Sequence, residues 1–156
     1  MHQIPRRSVL LGALGLWLAA GRVTWAVGPE NKAIHWQANL KDAHKVALQR
    51  NMPIMLVFGA DWCGFCKKLE KTTLSNPQLA KYINNTFVPV HIDVDENEKI
   101  AEILEVKSLP CTIILSPNAD LLGRLEGFMK PAPMLEKLTS ASKRYSEVQQ
   151  AGGQKR

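Results

Sequence analysis

Two cysteines three residues apart stand out as the side chains of this sequence best placed for chemistry: Cys63 and Cys66, in Trp62-Cys63-Gly64-Phe65-Cys66-Lys67. They follow the apolar run Ile54-Met55-Leu56-Val57-Phe58 and open a segment with helical spacing. A strand that leads into Cys-x-x-Cys at the start of a helix points to redox chemistry. At the first cysteine, unpaired backbone N–H groups and the positive end of the helix dipole favour thiolate over thiol, which makes Cys63 the expected nucleophile. Cys66, one turn on, can close a short disulfide and is the expected resolving thiol. The same spacing is also half of a zinc site. With Cys111 the one remaining cysteine, a set of Cys63, Cys66, Cys111 and one of the four histidines stays open, as does a non-enzymatic binder, either of a soft ion such as Cu(I) held by the two thiolates or of peptides without any exchange. Lys67 stands where haem attachment through Cys-x-x-Cys-His would need histidine.

The elements that must hold this pair alternate between helical and strand patterns, as a small α/β layer fold requires. Leu40, Ala43, Val46 and Ala47 share one face of a helix that should stop near Asn51-Met52-Pro53. The unbroken apolar run Ile54 to Phe58 predicts a strand buried on both faces. The helix opened by Cys63 is predicted to reach about Thr73, with Ser75-Asn76-Pro77 as cap and first turn of the next helix, through Tyr82. Phe87 to Val94 reads as a strand and Asn97 to Leu104 as a short helix. Cys111–Leu115 and Leu121–Glu126 read as a strand pair across a turn-rich linker. Pro131 to about Tyr145 closes the domain as a helix, and Gly152-Gly153 marks a frayed end.

Ala60-Asp61-Trp62-Cys63-Gly64-Phe65-Cys66-Lys67-Lys68-Leu69, with Val106-Lys107-Ser108-Leu109-Pro110 some forty residues later, resembles a thioredoxin-fold protein. More narrowly it is similar to exported thioredoxin-like domains related to the C-terminal domain of the bacterial membrane thiol:disulfide interchange reductase. The resemblance runs from about Ala33 to Ala141. It implies a single α/β domain with a central mixed β-sheet flanked by helices, and thiol-disulfide oxidoreductase activity in which the dithiol itself carries two electrons and no cofactor or metal is needed. It also implies a cis peptide bond before Pro110, with Leu109 and Pro110 as the edge on which a partner chain docks. From the sequence alone, Pro110 could equally start a strand in trans.

Around this centre, Trp62 is the expected apolar lid beside the dithiol and Phe65 an exposed contact for peptide-like partners. Lys67 would add positive charge favouring thiolate, or be a plain surface lysine. Asp61, adjacent to the site, would push the Cys63 thiol the other way. Thioredoxins place a buried Asp six residues before the first cysteine, where it assists proton transfer to the resolving thiol; here that position is Val57. The basic residue usual on the neighbouring strand is matched by His91. Asp93, two residues on and on the same side, offers His91 a partner for a substitute relay, the alternative being an ordinary strand histidine. Alternation along a strand sends Cys111 to the face opposite Pro110, so a buried, inert thiol is expected there. Gly64-Phe65 departs from the Gly-Pro of thioredoxin towards the Gly-Tyr of periplasmic isomerases, but without the dimerisation domain those carry, isomerase activity is not the expectation; a monomer is favoured.

The first 26 residues read as a targeting segment. Arg6 and Arg7 precede the mostly apolar run Val9 to Ala20, and Thr24-Trp25-Ala26 offers small residues where a signal peptidase reads. The paired arginines with Ser8-Val9-Leu10-Leu11 resemble a twin-arginine signal; an ordinary secretory signal fits as well. Either route leads out of the cytoplasm, to a bacterial periplasm. An apolar run this short falls below the roughly 20 residues of a membrane span, which favours cleavage after Ala26 over the alternative of an uncleaved anchor. The domain is then 27–145, followed by a flexible tail, 146–156. The whole chain has 20 Lys and Arg against 14 Asp and Glu, net +6; Arg6, Arg7 and Arg22 leave with the targeting segment, and the remainder is +3. Interspersed charge of that size suggests a solvated surface rather than a nucleic-acid site. About 130 residues suffice for one hydrophobic core, and three cysteines are too few to staple a scaffold. The partners implied are proteins carrying disulfides or dithiols, and a membrane electron donor if the direction is reduction, because a periplasm is kept oxidising.

Overall fold

A computed structural model of the chain describes residues 33–153. The targeting segment expected at 1–26 lies outside them. Four strands, β1 (Ile54–Gly59), β2 (Val88–Asp93), β3 (Cys111–Leu115) and β4 (Leu121–Glu126), form one sheet in the order β2-β1-β3-β4. β1 runs parallel to β2 and antiparallel to β3, and β3 antiparallel to β4. This is the mixed sheet that the resemblance implied. β1 is central and buried at every residue, as its unbroken apolar run predicted. Pro89, which cannot donate to a ladder, is tolerated because β2 is an edge strand. Its carbonyl accepts from Gln37 N–H at 2.8 Å, so the segment before the first helix runs along that edge.

Helices cover both faces. On one, α1 (Leu40–Arg50) buries Ala43 and Ala47 against Ile54, Leu56, Phe58 and Val90. Asn39 caps its start by accepting from Asp42 N–H. Asn51 ends it in the left-handed conformation (φ 51°), and the Asn51 Oδ1 accepts from the Tyr145 hydroxyl at 2.8 Å. The short α4 (Glu98–Ile103) adds Ile100 and Ala101 to this side. On the other face, α2 (Gly64–Leu69), α3 (Pro77–Thr86) and α5 (Pro131–Gly153) pack Leu69, Leu79, Ile83, Met134 and Leu138 against Met55, Val57 and Ile114.

Three boundaries differ from the sequence pattern, the first being the helix expected to end at Tyr82, which runs on to Thr86 before β2 begins. The helix predicted to run from Cys63 to Thr73 changes after Leu69 into a π-helical turn, Glu70–Leu74, in which Ser75 N–H reaches back to the Glu70 carbonyl. The Thr72 and Ser75 hydroxyls donate to the carbonyls of Lys68 and Lys71. Such back-bonding competes with the α-helical ladder, and that competition is a local cause of bending. The closing helix runs past Tyr145 to Gly153, where a tail was predicted. Glu147, Gln149, Gln150 and Ala151 are sound helix formers, and nothing stops the helix before the paired glycines. Among the described residues no helix is long and apolar enough to cross a membrane.

Candidate functional site

β1 ends at Gly59, and four residues later Cys63 caps α2. Its Sγ accepts the Cys66 N–H at 3.1 Å, one of the donors that the first turn of a helix leaves unpaired. Cys63 and Cys66 are joined by a disulfide with S–S 2.05 Å. Both are nearly covered, Cys63 at 6% exposure and Cys66 at 4%, and they pack with Ala60, Val94 and Leu109. A hydrogen bond aimed at Sγ strengthens when the sulfur is a thiolate, so the cap favours the charged form of Cys63 once the disulfide opens.

Trp62 and Phe65 flank the pair and are far more open, at 70% and 62% exposure. They line one side of a groove of about 450 Å³, with Cys63 and Gly64. Val106, Lys107, Ser108 and Leu109 line another part, together with Val94 and Ala101. The peptide bond between Leu109 and Pro110 is cis, as the resemblance implied, and Pro110 is buried.

The other candidates separate. His91 and Asp93 share a face of β2, but they do not pair. The carboxylate beside His91 is Glu70, its Oε1 3.2 Å from Nε2, and the Trp36 ring meets the imidazole edge-on at 6.0 Å. Asp93 instead uses Oδ1 to accept the N–H of Asp95, an Asx turn that closes the end of β2. The expected His91–Asp93 relay is therefore replaced by a His91–Glu70 pair, because the turn after β2 claims Asp93 first. Lys67 and Asp61 are exposed, and among the described residues neither side chain makes a hydrogen bond or ion pair. Cys111 packs with Phe58, Ile92 and Ile113, on the α1 side of the sheet. Its burial raises the thiol pKa, with Glu126 adding to the shift and Arg124 opposing it. Among the described residues no three His, Cys, Asp or Glu side chains converge as metal ligands, so Cys111 does not join Cys63 and Cys66 in a mixed zinc set there.

Sequence reasoning passed over Asp95, whose Oδ2 accepts the Trp62 indole N–H at 2.9 Å and fixes that ring beside the dithiol. It also passed over Val94, Ala101 and Val106 as groove lining. The one signal for Asp95 was the Asp-x-Asp spacing at a strand end, which favours an Asx turn but does not name the tryptophan.

Residues 40–142 match the family model described as Thioredoxin-like domain. The chain is 24% identical over 131 residues to the thioredoxin-related protein DsbJ of Chlamydia pneumoniae, covering 76% of this chain and 38% of that one. It is 34% identical over 103 residues to the thiol:disulfide interchange protein DsbD of Vibrio vulnificus, covering 62% of this chain and 17% of that one. The chain thus spans well under two thirds of either relative's length. Among solved structures it is similar to the oxidised C-terminal domain of Neisseria meningitidis DsbD, with a TM-score of 0.55 and 26% identity, over 67% of this chain and 95% of that domain.

Proposed function

The chain belongs to the thioredoxin-like family, and from that premise we propose that it is an exported thiol-disulfide oxidoreductase that reduces disulfides in partner proteins. The observation that carries the proposal is the Cys63–Cys66 disulfide at a helix start, with the Cys66 N–H directed at Cys63 Sγ and an apolar groove alongside. Reduced Cys63 attacks a partner disulfide and forms a mixed disulfide, releasing one partner sulfur as thiolate. Cys66 then attacks Cys63 Sγ, the partner's second sulfur leaves, and the Cys63–Cys66 bond takes its place. The two electrons pass from the dithiol to the partner.

Trp62 and Phe65 hold an apolar stretch of the partner chain, and Leu109 with Pro110 aligns its backbone in the groove. Lys67 and Asp61 set opposing charge around the thiols. The similarity to a domain of a protein named for thiol:disulfide interchange supports exchange at this pair; run in the reductive direction in a periplasm, it requires a membrane electron donor to re-form the dithiol. The targeting pattern of residues 1–26 supports export.

Cys66→Ala tests the assignment. Lacking the resolving thiol, the variant should accumulate mixed disulfides through Cys63 when mixed with periplasmic extract, seen as thiol-sensitive higher-mass bands on a non-reducing gel. Cys63→Ala should form none. Capture of nothing by Cys66→Ala while the unmodified protein remains active would reverse or abolish the two roles.

A further inference from the structure

β4 is an edge strand, yet it holds both ends of the segment that faces the dithiol across the groove. That segment, residues 105–110, joins α4 to β3 and lines the groove with Val106, Lys107, Ser108 and Leu109. At its far end the Pro110 carbonyl accepts the Gly127 N–H at 2.8 Å, one residue past β4. At its near end the half-buried Arg124 of β4 donates from Nη2 to the Leu104 carbonyl at 2.6 Å and from Nη1 to the Glu105 carbonyl at 3.3 Å.

The near end needs such a tie. α4 has six residues and buries none of them fully, so it is too short and too lightly packed to fix its own exit. It stops by turning its backbone over: Glu105 N–H reaches the Glu102 carbonyl and Val106 N–H the Ala101 carbonyl, with Glu105 in the left-handed region at φ 51°. Glycine is the usual residue there, because a Cβ is disfavoured in that conformation. Carbonyls at a helix exit carry the negative end of the dipole and lack partners inside the helix. The planar guanidinium satisfies two of them at once, a fork that a lysine ammonium does not reproduce. On the β4 side the same group lies beside the Cys111 thiol, the first residue of β3 after the segment ends.

We propose that Arg124 is a positioning residue for partner docking: by tying the exit of α4 to β4 it sets where residues 106–109 lie, and so the width of the groove opposite Trp62 and Phe65. The inference rests on the dithiol-exchange reading above and adds the residue that holds the docking edge in place. Cys63 and Cys66 are placed separately, by the end of β1 and the first turn of α2. Loss of the guanidinium therefore leaves attack on a small disulfide, which needs Cys63 alone. It weakens attack on a disulfide whose flanking chain must lie along the groove.

The test uses the reduced full chain in stopped flow, with tryptophan fluorescence following oxidation of the dithiol. Two disulfides are compared: hydroxyethyl disulfide, which has no chain to dock, and a peptide closed by one disulfide with Leu and Phe flanking its first cysteine. The readout is the ratio of the second-order rate constants, peptide over small disulfide. Arg124→Gln, which removes the charge and the fork, should lower the ratio at least about fivefold, with the small-disulfide rate kept within about twofold. Arg124→Lys, which keeps a cation at the α4 exit, should recover part of the ratio. Asn51→Ala, at the end of α1 and outside the groove lining, should lower stability without moving the ratio.

An unchanged ratio in Arg124→Gln overturns the proposal. So does equal slowing towards both disulfides, which would mean a purely structural role, and so does a ratio in Arg124→Lys no better than in Arg124→Gln. A fall in Asn51→Ala as large as in Arg124→Gln overturns it too, since general loosening would then account for the loss. Wild-type protein that takes the small disulfide but not the peptide leaves no docking for Arg124 to position and overturns this proposal alone. Wild-type protein that reacts with neither overturns the exchange reading itself, before any variant is compared.

Discussion

At the scale of single residues, the two sulfurs of the site and the third cysteine occupy opposite chemical environments. Cys63 receives a backbone N–H and borders an open groove, whereas Cys111 is 1% exposed among aliphatic and aromatic side chains. Burial raises the Cys111 pKa. Near neutral pH its thiolate fraction is therefore below that of a free cysteine, and it grows only above the ordinary thiol range. Brief treatment of the reduced native protein with iodoacetamide at neutral pH should label Cys63 and spare Cys111, which should become reactive in denaturant; peptide mass mapping reads this directly. Labelling of Cys111 as fast as Cys63 would contradict its burial. The pairing of Cys63 with Cys66 at a helix start and the burial of Cys111 were legible in the sequence because they follow from spacing and strand alternation. Glu70 and Asp95 were not. Each meets its partner across a tertiary contact, Glu70 to His91 and Asp95 to Trp62, and local pattern carries no sign of which acid arrives there.

At the scale of elements, the strands and the covered helix faces could be read from apolar period and turn residues, while element ends could not. The π turn after Leu69, beside which the Thr72 and Ser75 hydroxyls bond back to helix carbonyls, carries Glu70, whose carboxylate meets His91. The far end of α5 had no stop signal before its paired glycines. One junction between elements is a specific prediction. Asn51 closes α1 in the left-handed region, and the Asn51 side chain accepts from Tyr145 of α5. Asn51→Ala should cost about 1–2 kcal/mol from the left-handed Cβ penalty together with the lost hydrogen bond. Asn51→Gly, which relieves the first and keeps only the second, should cost less. Thermal unfolding should show Asn51→Ala melting roughly 5 °C lower, with Asn51→Gly between it and the wild type. The reverse order would mean that the cap geometry carries no strain.

At the scale of the whole molecule, the site exists because three strand ends meet at one edge of the sheet. β1 and β2 are parallel and β3 runs against them, so Gly59, Asp93 and Cys111 all lie at the same end of the ladder. The segments that continue from those ends supply Cys63, Val94 and Leu109, which are far apart in sequence and packed together in space. The resemblance anticipated this convergence from the two motifs alone. It did not anticipate a second hollow on the His91 side, since that depends on where the segment from Ala33 to Trp36 lies. The central claim, reversible two-electron exchange at Cys63–Cys66 poised for reduction, is tested most directly by a redox titration of residues 27–156 in thiol buffers. Tryptophan fluorescence would report Trp62, and alkylation followed by mass would count free thiols. The account predicts one two-electron transition with a midpoint near the thioredoxin value of about −270 mV. A midpoint near about −120 mV, where a disulfide donor works, would contradict the reductive direction, and the absence of any transition would contradict the exchange itself.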